Sequence, residues 1–220
     1  MGDTNQLNFI KRNTKIISGP ILEVGSKDYG NTPNFRLLFP DYDYLGVDME
    51  KGTGVDTVLD LTSNFSAINK KLKGKKFKTI ICFSVLEHCK NPFKMCDNLS
   101  RLLDKGGIIF ISVPFSWRIH AYPSDYWRFT PEGIRILFPE LCFDIKDGII
   151  STSNLDEIAP IDDYMFRAEL DISSGLKMKR YNYFTGIFIG LCRKFRILPS
   201  VFSYPYLSPP VMINLIGRKK

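Results

Sequence analysis

Short apolar runs alternate along the chain with stretches whose apolar residues recur every three or four positions. The runs read as strands buried on both faces, and the spaced stretches as helices with one apolar face. Ile21-Leu22-Glu23-Val24 follows the Gly19-Pro20 breaker and is the first predicted strand. Tyr44 to Asp48, Thr57 to Asp60, Thr79 to Phe83, Ile108 to Ile111 and Cys142 to Ile145 follow it, and Val211 to Ile216 closes the series. Between them, Thr32 with Pro33 caps a short helix that Pro40 stops. Asn91-Pro92 opens a longer helix. Phe93, Cys96, Leu99, Leu102 and Leu103 share one of its faces, and Lys105-Gly106-Gly107 ends it. Thr130-Pro131 opens another that runs to Phe138. Strands alternating with helices specify βαβ units and a parallel sheet.

About sixty residues separate the last two predicted strands, which is too long for a structureless loop in one domain. A helix is expected around Ile187 to Ile197. Phe184, Ile187, Leu191 and Lys194 keep helical spacing, as do Phe188, Cys192 and Phe195, so more than one face is apolar and must bury. The expected organisation is one domain over 1–220, with 151–209 inserted as a lid or as an interface with a second copy. A peripheral membrane contact is the weaker option for this insertion.

Composition is that of a globular domain, with 44% hydrophobic and 24% charged residues. No apolar run reaches the roughly 20 residues of a membrane span. The N-terminus lacks a signal-peptide core, and Gln6 breaks the myristoylation pattern after Met1-Gly2. The five cysteines, Cys82, Cys89, Cys96, Cys142 and Cys192, show no C-x-x-C spacing, so neither a disulfide framework nor a metal site is expected. Cys82, Cys96 and Cys142 read as small core residues, and the compartment as reducing and cytoplasmic. The net charge of +7 is uneven: from Gly175 onward there are nine Lys or Arg and no Asp or Glu. That tail fits an anionic surface, nucleic acid, a solvated face, or the acidic stretch Ser151 to Ser174 before it.

In open parallel sheets ligands bind beyond the carboxyl ends of the strands. The residues there are Gly25-Ser26, Asp48-Met49, Asp60-Leu61, Ser84 and the segment from Pro114. Gly25 allows a ligand close to the backbone. Asp48 can accept hydrogen bonds from both hydroxyls of a ribose, and Asp60 can face an adenine amine. The loop Gly25-Ser26-Lys27-Asp28-Tyr29-Gly30 lacks the G-x-G-x-x-G of pyrophosphate sites, which disfavours an NAD-dependent oxidoreductase. Glu23 and Asp28 suit a cationic ligand, and together these residues point to S-adenosylmethionine.

Several segments carry a resemblance. Ile21 to Ser26, Gly46-Val47-Asp48-Met49, Gly52 to Asp56, Ser84 to His88 and Leu103 to Gly107 resemble class I S-adenosylmethionine-dependent methyltransferases of a methyltransferase-11-like subfamily. The most specific segment runs from His120 to Glu132 and reads HAYPSDYWRFTPE. The resemblance covers about residues 19–145. It implies a Rossmann-like three-layer α/β sandwich, its seven-stranded sheet mostly parallel and its last strand antiparallel. It implies that Glu23 and Gly25 flank the methionine part of the cofactor, that Asp48 holds the ribose, and that Asp60 and Leu61 lie by the adenine. The product would be S-adenosylhomocysteine. Lys27 departs from the pattern, since glycine is usual there.

The acceptor would meet Phe115 to Phe129, which holds both tryptophans of the chain. Trp117, Tyr122 and Tyr126 can line its site, and aromatic faces can steady a sulfonium. Trp127 and Phe129 read rather as anchors of the loop in the core. His120 is the better candidate for a base that deprotonates an acceptor hydroxyl, and Asp125 the next. His88 reads as a brace of its turn. Arg128 can hold an anionic acceptor, or pair with Asp125 or Glu132. The expected acceptor is a small hydroxylated metabolite or a glycan precursor. A binding module that has lost catalysis and a nucleic-acid methyltransferase are the alternatives. Against the latter, the Asn/Asp-Pro-Pro-Tyr motif of amino-methylating members is absent after the fourth strand, which reads Phe83-Ser84-Val85-Leu86.

Overall fold

The computed structural model describes residues 4–30, 33–120, 124–144, 148–151, 158–161, 187, 191, 194–195 and 211–220. The strands are β1 Ile21–Val24, β2 Tyr44–Asp48, β3 Thr57–Val58, β4 Phe77–Phe83 and β5 Leu103–Pro114. β6 Leu141–Phe143, β7 Ile149–Ser151, β8 Ile158–Pro160 and β9 Met212–Lys219 complete them. The helices are α1 Thr4–Arg12, α2 Phe65–Lys71, α3 Pro92–Leu102 and α4 Pro131–Leu137. The sheet order is β3-β2-β1-β4-β5-β9, with β6 and β7 on the far side of β9 and β8 beyond β7. β1 to β5 are mutually parallel, and β9 runs antiparallel to β5.

β6 pairs with residues 217–219 of β9 and β7 with residues 212–214, so the two lie end to end along one edge. They act as one interrupted strand, which makes seven strands, and β8 adds a short outer one. The predicted Rossmann-like architecture holds, with its final strand antiparallel.

Both sheet faces are covered, as a parallel sheet requires. Leu22, Val24, Ile80, Cys82, Ile109 and Ile111 pack with Cys96 and Leu99 of α3 and Ile134 of α4 in one cluster. Ile21, Ile81, Phe83 and Phe110 pack on the other face with Phe9 and Ile10 of α1. Phe9 stands edge-on to Phe110 at 5.5 Å between ring centroids. Burial of Phe9 and Ile10, each contributing about 1.5–3 kcal/mol, anchors α1. The sequence pattern does not reveal α1, α2 or the β7–β8 pair.

Four local expectations are corrected. Thr32 lies outside the described residues, and the turn it was expected to open is a 3₁₀ helix, Phe35–Leu38, capped by Asn34, whose side chain accepts from Arg36 N–H. Phe93 is exposed rather than on the buried face of α3, where Met95 is buried instead. α3 ends at Leu102, and Lys105-Gly106-Gly107 belongs to β5. Cys142 is exposed because β6 alternates, with Leu141 and Phe143 inward, while Cys89 is buried. The caps Asn91 and Thr130 hold as expected, each accepting from a backbone N–H of the first turn. Of the expected helix around Ile187 to Ile197, Ile187, Leu191 and Lys194 are helical, Phe195 is in a turn, and the other positions lie outside the described residues.

Candidate functional site

The turn after β1 and the end of β2 lie side by side because Val24 pairs with Val47. Gly25 and Ser26 both donate N–H to Val47 C=O, at 2.9 and 3.2 Å. Gly25 has φ +73, and a Cβ there would stand 2.5 Å from Val85 Cγ2. Only glycine fits both the conformation and the gap. The segment from Gly52 to Asp56 packs directly on this turn. A Cβ at Gly54 would meet Ser26 O at 2.5 Å, and one at Gly46 would meet Gly54 O at 2.4 Å. Asp28 N–H donates to Thr53 C=O at 2.9 Å. Gly46 and Gly54 therefore let two loops touch at backbone distance.

Asp48 accepts from Lys27 N–H through Oδ2 at 3.3 Å and from Glu50 N–H through Oδ1 at 3.0 Å. These bonds orient the carboxylate and leave lone pairs on each oxygen. Met49 beside it is exposed. The Lys27 ammonium bonds Glu50 Oε2 at 2.6 Å and stands 5.1 Å from the Tyr29 ring centroid. Its stem lies against Gly52, where a Cβ would meet Lys27 Cγ at 2.9 Å. The missing glycine at 27 is thus matched by a glycine at 52.

Asp60 Oδ1 accepts from Thr62 N–H at 2.8 Å and from its hydroxyl at 2.6 Å. The Leu61 side chain is buried in the core. Asn98, fully buried on α3, holds this loop by donating to Leu61 C=O at 2.7 Å and Ser63 C=O at 2.9 Å. Ser84, at the end of β4, has φ +50, an uncommon conformation for a residue with a Cβ. Gln6 of α1 donates Nε2–H to Ser84 Oγ and Ser112 Oγ, both at 2.9 Å. The N-terminal helix is thereby tied to the ends of β4 and β5. Sequence reasoning missed Asn98 and Gln6, because a buried amide in a helix has no motif.

A cleft of about 70 Å³ opens beside the first turn, lined by Glu23, Gly25, Ser26, Asn34, Arg36 and Phe83 among others. It contains Glu23, Gly25 and Ser26 but not Asp48, Asp60 or Ser84, which line the adjoining strand ends. Glu23 accepts from the Tyr44 hydroxyl at 2.8 Å. Burial pushes the Glu23 carboxyl above its ordinary range, against the opposing pull of that bond and of Arg36. Arg36 bonds Asp56, which also accepts from Gly46 N–H at 2.7 Å. Ser26 Oγ is buried with no hydrogen-bond partner.

On the other side, the loop after β5 is tied to the 3₁₀ turn Leu86–His88. Tyr126 N–H donates to Glu87 C=O at 2.7 Å, and Trp127 Nε1–H to Cys89 C=O at 2.8 Å. Arg128 grips Asp125 with both terminal nitrogens, at 2.5 and 2.7 Å. Its alternative partner Glu132 bonds Arg135 instead. Asp125 is 2% exposed at its side chain, and the Arg128 bond holds its carboxyl well below the usual range. Asp125 Oδ2 accepts from His120 N–H at 2.9 Å and lies 3.1 Å from His120 Nδ1. His88 Nδ1 bonds Ser124 C=O at 2.5 Å, the bracing expected of it. Trp117, Tyr126 and Trp127 are exposed on this loop, Phe129 is buried, and Tyr122 lies outside the described residues. Glu87 is 1% exposed, and burial pushes its carboxyl up to about 7.

A parallel sheet with a ligand crevice at its switch point and an acid ending its second strand defines a nucleoside-binding class of α/β domain. The chain belongs to the methyltransferase-domain family whose model matches residues 8–141. No curated protein matches it. Among solved structures it resembles a SAM-dependent methyltransferase from Archaeoglobus fulgidus, at TM-score 0.56 and 15% identity over 98% of this chain and 94% of that one. It also resembles the N-methyltransferase NodS from Bradyrhizobium japonicum WM9 in complex with S-adenosyl-L-homocysteine, at TM-score 0.52 and 11% identity, covering 99% and 88% of the two chains. A 1,6-didemethyltoxoflavin-N1-methyltransferase from Burkholderia thailandensis matches at TM-score 0.52 and 9% identity, over 99% of this chain and 78% of that one. At these identities the likeness is one of fold. No helix among the described residues is long and apolar enough to cross a membrane.

Proposed function

We propose that the chain binds S-adenosylmethionine and transfers its methyl group to a small hydroxylated metabolite or glycan precursor. One observation carries this reading: Asp48 stands at the end of β2 with its carboxylate oriented by two backbone amides, beside a Gly25 turn that admits no side chain. The residues fit the cofactor. Asp48 retains acceptor capacity for two ribose hydroxyls, Ser26 Oγ is a buried group in need of a partner, and the Glu23 carboxyl, beside Gly25, can accept from the methionine ammonium. Asp60, the Leu61 backbone and Met49 border the adenine, and Ser84 borders the methionine end.

The cofactor supplies a methyl carbon already activated by its sulfonium. The protein's task is alignment, and orientation of this kind supplies on the order of 7–11 kcal/mol. Trp117, Tyr122 and Tyr126 frame the acceptor. His120 meets its hydroxyl, and Asp125, clamped by Arg128, orients His120 rather than taking the proton itself. Arg128 spends its donors on Asp125 and on the carbonyls of Trp117, Arg118 and Trp127, which makes it a scaffold of the loop. The segment His120 to Glu132 also supports the methyltransferase-11-like assignment within the family, and residues 151–209 serve as lid or interface.

Calorimetric titration with S-adenosylhomocysteine tests this. Asp48→Ala removes up to two charge-assisted bonds, each worth about 1.5–3 kcal/mol. Affinity should fall about a hundredfold. An unchanged dissociation constant in that variant would overturn the assignment. Turnover on a panel of hydroxylated small molecules then identifies the acceptor class.

A further inference from the structure

The chain has only two histidines, and the fold brings them together with their rings edge to face, centroids 5.0 Å apart. His88 comes from the turn after β4 and His120 from the loop after β5. Glu87 completes the group: among the described residues, Glu87, His88 and His120 offer ligand atoms that all lie within 4.8 Å of one another. We infer that these three residues form a binding site for a divalent first-row transition metal ion, at the acceptor side of the crevice.

Two independent features support a ligand at this point. The first is Glu87 itself. Its Oε1 lies 3.9 Å from His88 Nε2, while Oε2 is fully buried and makes no hydrogen bond to another residue. A buried carboxylate oxygen without a partner is costly, and a cation satisfies it. The second is how the two imidazoles are held. His88 donates Nδ1–H to Ser124 C=O at 2.5 Å, which fixes the tautomer and leaves the lone pair on Nε2. His120 Nδ1 bonds Arg118 C=O at 3.3 Å and lies 3.1 Å from Asp125 Oδ2, so its proton sits on Nδ1 and Nε2 is again the lone-pair nitrogen. A histidine whose other nitrogen donates to a carbonyl or carboxylate is the arrangement that orients metal ligands. Arg128 locks Asp125 in turn.

Two imidazoles and one carboxylate suit Zn²⁺, Fe²⁺, Co²⁺ or Mn²⁺ rather than Ca²⁺, which takes oxygen ligands. Bonds of about 2.1 Å place donors roughly 3.0–3.5 Å apart, so the three groups need draw in by about an ångström. Three protein ligands leave open positions, the pattern of catalytic rather than structural ions. Resting on the methyl-transfer reading above, the ion would take the acceptor hydroxyl into an open position. Its charge lets that hydroxyl release its proton to water while the electron pair stays on oxygen. His120 would then serve the acceptor through the ion.

The test uses the full chain, freed of metal with chelator and titrated with Co²⁺, whose visible absorption bands report nitrogen and oxygen coordination. One equivalent should bind, and His120→Gln should weaken binding at least tenfold without moving S-adenosylhomocysteine affinity. Glu87→Gln should weaken it as well, but Glu87 is in the core, so partly exposed His120 keeps the test open if that variant fails to fold. Absence of stoichiometric Co²⁺ binding, or binding that survives His120→Gln unchanged, overturns the site. If Co²⁺ binds as expected and S-adenosylhomocysteine does not, the cofactor reading falls and the metal site stands.

Discussion

Around Asp48 the crevice is walled by backbone, whereas around Asp125 it is walled by charged side chains. On the first side, Gly25, Gly46 and Gly54 bring loops to contact distance, and Asp48 is oriented by two amides. On the second, one buried carboxylate is shared between Arg128 and His120, and the loop is hung from carbonyls of the turn after β4. Backbone walls give a fixed shape that suits one unchanging cofactor. A side-chain network can be re-aimed by a few substitutions, which suits an acceptor that differs among members of a family.

The largest effect expected from breaking this contrast is at Arg128. Arg128→Ala leaves the Asp125 carboxylate buried without its counter-charge, at a cost of about 2–3 kcal/mol. For a chain of this size that is a melting-temperature loss of roughly 4–12 °C, readable by calorimetry. S-adenosylhomocysteine affinity should stay within about twofold. A parallel loss of affinity would show that the two walls are one unit.

Gly25→Ala comes next and acts on the opposite wall. A left-handed alanine costs about 1–2 kcal/mol, and its Cβ must displace Val85. Affinity for S-adenosylhomocysteine should fall more than tenfold, with Co²⁺ binding unchanged. An alanine variant with native affinity would mean that the turn can relax.

The same contrast explains what was legible in the sequence. Gly25, Asp48 and Asp60 announce themselves because strand ends and glycines are local signals, and each lies where the alternation of runs predicts. The caps Asn91 and Thr130 were readable for the same reason. By contrast, Glu87 and His120 are thirty-three positions apart, and their proximity depends on how the β5 loop folds back. Asn98 and Gln6 act through single amides that reach across 37 and 78 positions, and no periodicity encodes that. α1 was missed because its buried face includes Asn5 and Gln6, so its apolar stripe is short. Cys142 was misplaced because a three-residue strand gives alternation too few positions to show which face is inward.

A smaller effect is expected at Glu23, and it depends on pH. Burial raises its folded carboxyl pKa above the unfolded value, so its neutral form is the one that the fold favours. The associated stability is complete below the unfolded pKa, about 4.3, and is lost as pH rises through the folded value. Glu23→Gln keeps an acceptor for the Tyr44 hydroxyl and removes the titration. The variant should match the wild type near pH 4 and exceed it at neutral pH in denaturant titrations. Equal stability at both values would show that Glu23 is ionised without cost in the fold.

The smallest effect should come from Lys27, the residue that departs most from the family pattern. If its side chain blocked the cofactor, restoring glycine would sharply raise affinity. The geometry argues otherwise, because the ammonium is held by Glu50 and the stem lies in the space left by Gly52. Glu50 is largely exposed, and an ion pair of that kind contributes about 0–1 kcal/mol. Lys27→Ala should therefore change stability by under about 1 kcal/mol and S-adenosylhomocysteine affinity by no more than about threefold, with even that difference shrinking as salt is raised. The informative partner is Gly52→Ala, whose Cβ would press on the Lys27 stem and push it from its groove. In the wild-type background that substitution should weaken cofactor binding. Combined with Lys27→Ala it should not, because the stem it would displace is gone. Equal losses in both backgrounds would mean that Gly52 matters for its own backbone and that Lys27 owes its place to something else.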